Sequence, residues 1–156
     1  MGIFNSINTS ASGLTAQRLR MDVISSNIAN AETTRAQLNE DGEWVPYRRK
    51  MVSFEEKGSS FHSKFQHALH SHSDNNASNQ NTGVRVAEIS EDEQPFKMVY
   101  KPNHPDANEQ GYVAMPNVDP LKEMVDLMST TRSYEANVTS MNASKDMLMK
   151  ALEIGK

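Results

Sequence analysis

Five histidines are the first residues to weigh for chemistry. Four of them, His62, His67, His70 and His72, form the cluster that most resembles a ligand set, and His67 and His70 would share one helical face. A zinc or related site wants three or four His, Cys or carboxylate ligands converging at fixed spacing. The chain has no cysteine, and no carboxylate stands at a matching interval; Asp74 falls in a polar run with loop character. A solvated polar insert accounts for these histidines better than a metal site, so none is expected. A second cluster, Arg48-Arg49-Lys50 beside Tyr47, could meet phosphate or an acidic protein surface. Glu40, Asp41, Glu43, Glu55 and Glu56 flank it and balance its charge. A solvated strand face, or rim salt bridges to a partner, is the expectation. Asp106 and Glu109 could be paired as acid and base, with His104 nearby, but the stretch Lys101–Gly111 reads as a long polar connection rather than a pocket wall. No G-x-S-x-G, H-E-x-x-H, P-loop or G-x-G-x-x-G is present. The expected catalytic, cofactor-binding and metal-binding residues are therefore none, and enzyme activity is not expected.

Composition narrows the class further. The 156 residues suit one domain of ordinary size. Residues of the AVILMFWYC set make up 37%, enough for a modest core but not a thick one. A net charge of −4 argues against nucleic acid as a partner. The absence of cysteine excludes a disulfide scaffold and a thiol nucleophile. The longest unbroken apolar run, Tyr112 to Met115, is far short of the roughly 20 residues of a membrane span. No cation precedes Arg18 and no apolar block opens the chain, so a cleaved Sec signal peptide is not expected.

The elements that would position any site fall into three parts. Residues 1–32 contain no proline and carry apolar side chains seven apart at Ile7, Leu14, Met21 and Ile28. Phe4 and Ala11 fill companion positions. This spacing predicts a long helix with a heptad seam that packs lengthwise on another helix. Residues 118–156 repeat the design. Asp119-Pro120 reads as a helix start, and Leu127, Tyr134, Met141 and Leu148 mark one heptad position. Met124, Thr131, Val138, Lys145 and Leu152 mark the other. The middle, residues 33–117, holds five of the six prolines and alternates as strands do around Val84–Val86 and Phe96–Tyr100. Trp44–Phe54 and Tyr112–Met115 are further strand candidates; Pro46 makes the former an edge strand or one that begins late, and Trp44 and Tyr47 are expected anchors of the insert. About residues 58–83 form a polar loop too poor in apolar side chains to offset its own ordering entropy. The fold class is therefore α+β: long terminal helices pairing as a coiled coil around a small β-rich insert.

Two helices alone cover each other on one face, and these seams carry Arg18, Ser25, Thr131 and Lys145. Such a pair needs neighbours to complete its burial. Ten methionines, five of them in the last helix, suit a surface that adapts to several slightly different partners.

Two segments carry a resemblance. Ser12–Thr34, with Asn27-Ile-Ala-Asn30 followed by Thr33, resembles the N-terminal signature of bacterial flagellar rod and hook axial proteins. His104–Val113, Pro116–Leu127, Arg132-Ser-Tyr-Glu-Ala-Asn137 and the ending Lys150–Ile154 resemble the proximal-rod branch of that family. Residues 58–83 depart from it. The resemblance implies a structural subunit of the basal-body rod, the envelope-crossing shaft between motor and hook. It also implies export by the flagellar type III apparatus without a cleaved signal, and partners among other rod proteins and copies of the same chain. Terminal helices would line the inner tube. Asn27, Asn30 and Asn137 match motif positions, and Arg132 and Glu135 are candidates for ion pairs between subunits. The expected assembly residues are thus Ile7, Leu14, Met21, Ile28, Asn27, Asn30, Leu127, Tyr134, Asn137, Met141 and Leu148. A different axial protein, or a cytoplasmic coiled-coil adaptor or export chaperone, would share the helical features.

Overall fold

A computed structural model describes residues 3–40, 42–57, 65 and 83–154. The histidines His62, His67, His70 and His72 lie outside the described residues. Among the described residues two long helices bracket six short strands, so the chain is α+β. Helix α1 spans Ile3–Ala29 and helix α2 spans Pro120–Ile154, about 40 and 53 Å long at the usual rise per residue. Neither interior contains proline, and α2 starts where the sequence indicates: the Asp119 carboxylate accepts a hydrogen bond from the Leu121 amide at 3.1 Å. Asn30 ends α1. Its backbone amide donates to the Ser26 carbonyl at 3.1 Å and its side-chain amide donates to the same carbonyl at 2.9 Å, so the last turn is held twice. No described helix is long and apolar enough to cross a membrane.

The described part of the insert forms three two-stranded ladders. Strands β1 (Gln37–Leu38) and β2 (Trp44–Val45) pair antiparallel across a tight connection in which Gly42 takes a φ of 78°. Strands β3 (Lys50–Glu56) and β4 (Val84–Glu91) form the second ladder. The Lys57 amide bonds the Gly83 carbonyl at one end, and the Asp92 amide bonds the Arg49 carbonyl at the other, so this ladder also runs antiparallel. Strands β5 (Lys97–Tyr100) and β6 (Tyr112–Met115) form the third, with Lys97 opposite Met115 and Tyr100 opposite Tyr112. The strand candidate from Trp44 to Phe54 breaks at Pro46, and its longer part, β3, begins late, as that proline indicates. Pro46 has no amide to donate to a ladder, and the backbone from Pro46 to Arg49 is spent on other bonds.

The chain divides into two compact units. The first comprises Met1–Arg18, Phe54–Ala87 and Arg132–Lys156; the second comprises Leu19–Ser53 and Glu88–Thr131. In the first, Ala16, Ser10 and Ser144 are buried. The Ser6 and Ser144 hydroxyls meet at 2.7 Å, and a Cβ added to Gly13 would sit 3.1 Å from the Asn137 amide nitrogen. Advancing seven residues along α1 thus retreats seven along α2, the pattern of antiparallel neighbours. In the second unit, Val23, Ile24, Tyr47, Val113 and Val118 form the apolar core. There the Thr131 hydroxyl lies 3.7 Å from the Met21 sulfur and Asn27 bonds Glu123, again antiparallel.

Candidate functional site

The second unit is organised around a polar clasp, and the Asn27 carboxamide is its hub. Asn27 is 1% exposed and Glu123 0% exposed, an unusual depth for such side chains. Asn27 Nδ2 donates to the Lys50 carbonyl at 2.8 Å and to Glu123 Oε2 at 3.0 Å. Asn27 Oδ1 accepts from the Lys50 amide at 3.0 Å and from the Tyr47 hydroxyl at 3.0 Å. Two donors and two acceptors are all a carboxamide offers, so the side chain is fully used. It ties the last turn of α1 to the start of β3 and to the first turns of α2.

Arg49 extends the clasp. Its Nε donates to Glu123 Oε1 at 2.6 Å, Nη1 reaches Asp92 Oδ2 at 3.4 Å, and Nη2 lies 3.8 Å from Asp126 Oδ2. Burial works against the Arg49 charge, but hydrogen bonds and Coulomb attraction from Glu123, then from Asp92, outweigh it and raise its pKa above the ordinary arginine value. Asn117 accepts from the Arg49 amide at 2.8 Å and donates to the Asp92 and Gln94 carbonyls at 3.2 and 3.1 Å. One guanidinium therefore gathers three carboxylates, while Asn117 ties off the backbone on either side. A buried ion pair adds little net stability compared with a well-packed apolar substitute, but losing one partner strands the other. Arg49 was expected on a solvated strand face; the buried Glu123 carboxylate draws it inward. Of its neighbours, Arg48 stays at the surface over the Phe96 ring, 4.8 Å from its centroid. Tyr47 is buried, as an anchor should be, whereas Trp44 is exposed.

A smaller cluster fixes the polar connection before β6. Asp106 accepts from Arg35 Nε at 2.7 Å and from the Thr34 hydroxyl at 2.9 Å. The Arg35 hydrogen bond holds the Asp106 carboxyl below its usual range; desolvation opposes it, and the Thr34 hydrogen bond, Coulomb attraction to Arg35 and the nearby His104 add to the lowering. Asp106 is thus engaged with Arg35 and Thr34, not poised with Glu109 as an acid–base pair.

The helices place the expected assembly residues in a revealing way. Ile7, Leu14, Met21 and Ile28 on α1, and Leu127, Tyr134, Met141 and Leu148 on α2, are all half-buried. On α1 the contacts between the helices lie one residue earlier, at Ser6, Gly13 and Asn27, and on α2 they lie four residues before Leu127, Met141 and Leu148, at Glu123, Asn137 and Ser144, which is one residue before the other heptad position at Met124, Val138 and Lys145; Met21 and Thr131 lie beside that line. One residue rotates a helix face by about 100°. Small and polar side chains allow the close approach, and the large apolar ones flank it. Beyond them, Leu121 (75% exposed), Val125 (60% exposed), Met124 and Met128 leave an apolar stripe open on the first turns of α2. Met147, Met149, Leu152 and Ile154 are also exposed on its last turns. Arg18, Arg132, Glu135 and Lys145 are exposed. Glu123, Thr130, Asn137 and Ser144 recur every seven residues, a polar heptad parallel to the apolar one. That was the signal by which Glu123 could have been found.

The comparisons with known proteins follow this geometry. Residues 7–37 match the family described as "Flagella basal body rod protein", and residues 109–154 match "Flagellar basal body rod FlgEFG protein C-terminal". The chain is 62% identical over 157 aligned residues to the "Flagellar basal-body rod protein FlgC" of Bacillus subtilis (strain 168), covering 100% of both chains. It is 46% identical to the protein of the same description in Borreliella burgdorferi, covering 99% of this chain and 98% of that one. The Escherichia coli O6:H1 protein so described is 40% identical, with 100% of both chains covered.

Proposed function

The chain belongs to the FlgC family of flagellar basal-body rod proteins, and from that premise we propose that it is a structural subunit of the proximal part of the rod and not an enzyme. The observation that carries this reading is the full-length match to proteins described as rod subunits. The physical features agree with it. A shaft needs long helices held lengthwise by neighbours, and a helical assembly uses heterologous contacts in which one surface meets a different one. The Ser6–Ser144 and Asn27–Glu123 hydrogen bonds between α1 and α2 are made within one chain, while the flanking apolar side chains, including Ile7, Leu14, Leu127, Tyr134, Met141 and Leu148, remain half-exposed. In this reading those side chains complete their burial against other rod proteins and copies of the chain in coiled-coil fashion, and the assembled helices transmit torque from motor to hook. The subunit reaches the rod through the flagellar type III export apparatus without losing a signal peptide. Asn27 and Asn30 serve assembly indirectly, by fixing the end of α1.

The experiment is a deletion strain complemented with the affinity-tagged full-length chain. Purified hook–basal bodies should contain the tagged chain in the rod, and the deletion strain should lack rods beyond the earliest stage and be non-motile. A motile deletion strain, or basal bodies free of the chain, would overturn the proposal.

A further inference from the structure

The third ladder has one sealed edge and one open edge. The Lys101 amide bonds the Gly111 carbonyl at 2.9 Å, which sets the phase: Lys97, Val99 and Lys101 direct their backbone groups at β6. The amides and carbonyls of Met98 and Tyr100 therefore point the other way, and no other described strand runs along that side. The outer edge of β6 is closed differently. Its Tyr112 carbonyl accepts from the Asn108 amide at 2.9 Å, its Tyr112 amide donates to Asn108 Oδ1 at 2.8 Å, and Pro116 brings no donor. Only Ala114 is left between them, too short a stretch to template a strand.

Every residue of β5 is exposed, with Met98 at 58% and Tyr100 at 63%. Soluble proteins usually protect an edge of this kind, because its free backbone groups recruit other strands. Alternation places Met98 and Tyr100 on one face of β5 and Lys97, Val99 and Lys101 on the other. We propose that β5 is a β-augmentation site that receives an extended segment of a neighbouring rod subunit, apolar on the face beside Met98 and Tyr100 and acidic on the face beside Lys97 and Lys101. The charges choose this partner over the same edge of a second copy. Antiparallel self-pairing about the strand centre would set Lys97 against Lys101, and like charges directly opposite are destabilising. The segment is short, because Pro95 and Pro102 bracket the strand and limit new main-chain bonds to those of Met98, Tyr100 and their immediate neighbours.

The inference rests on the rod reading, and its test separates the two. Hydrogen–deuterium exchange with mass spectrometry is run on the free full-length chain and on purified hook–basal bodies. The Met98 and Tyr100 amides should exchange rapidly in the free chain and at least about tenfold more slowly in the rod. Chain present in the rod with those two amides still exchanging at the free rate overturns the edge pairing alone; chain absent from the rod overturns both. The variant Met98→Pro removes only the outward amide and leaves the β5–β6 bonds intact, since proline is tolerated on an edge. It should melt as the parent does and enter rods poorly. If Met98→Pro fails to fold, Lys101→Glu serves instead: it reverses the charge facing the incoming segment and should also reduce incorporation. Incorporation at parental levels by a folded variant contradicts the proposal.

Discussion

Replacing Asn27 by alanine removes four hydrogen bonds from the centre of the second unit. The Tyr47 hydroxyl can lean on Ser26 Oγ, already 3.4 Å away, but the Lys50 amide and carbonyl and Glu123 Oε2 lose a partner in a buried place. At about 1 kcal/mol for each bond, with a further penalty for stranded buried groups, Asn27→Ala should cost ~3–5 kcal/mol. For a chain of this length that lowers Tm by roughly 10 °C. Asn27→Asp is the sharper probe because it keeps the shape and both acceptor bonds. It loses both donors and sets a second carboxylate against Glu123 Oε2, a contact of 3.0 Å in the parent. At an effective dielectric constant of ~20 the repulsion of two charges at that distance is about 5 kcal/mol, less whatever protonation relieves. The new carboxyl has a folded-state pKa above its unfolded one, so its penalty is present at neutral pH and shrinks as the pH falls. Urea denaturation followed by circular dichroism at pH 7 and pH 5 reads both variants. Asn27→Asp within 1 kcal/mol of the parent at pH 7 would refute the reasoning, because shape alone would then explain the site.

Three further outcomes follow from the same structure. Leu121→Glu with Val125→Glu should leave Tm within about 2 °C of the parent, since exposed substitutions seldom matter to folding, yet abolish swarming on soft agar. Gly13→Leu should push α1 away from Asn137, costing on the order of 2 kcal/mol in denaturant melts despite the gain in helix propensity. The Asp106 carboxyl, held low by Arg35, contributes stability that is in place above the usual carboxylate range and disappears as the pH falls through its depressed value. In Arg35→Ala, carbon-detected NMR titration should show Asp106 returning toward the ordinary value, and the acid-side loss should flatten.

The elements were readable where local pattern and tertiary structure agree. Apolar spacing and the Asp119-Pro120 start located the two helices, and Tyr112–Met115 stands as a strand within the bounds its apolar run suggested. The two-residue strand β1 left no such mark, because Gln37 and Leu38 are both exposed and alternate with nothing. The clasp was half-legible. Asn27, Tyr47 and the basic cluster containing Arg49 stand out in the sequence, but the inward turn of Arg49 onto Asp92 and Glu123, with Asn117 beside it, does not, since a charged side chain is normally solvated and only three-dimensional convergence shows otherwise. On α1 the apolar heptad Ile7, Leu14 and Ile28 stands one residue beyond the contacts at Ser6, Gly13 and Asn27. Hydrophobic periodicity reports the faces that must be covered by something, and in this chain the small and polar line at Ser6, Gly13, Asn137 and Ser144 makes the contact within the molecule.

A side-chain-resolution electron cryomicroscopy map of an intact basal body bears most directly on the claim that these helices carry apolar faces meant for neighbouring subunits. Leu121, Val125, Met128, Leu127, Tyr134 and Met141 should each be buried against another subunit's helix, with the Asn27–Glu123–Arg49 clasp unchanged from the free chain. The same side chains facing water or a solvent channel in the finished rod would contradict the account.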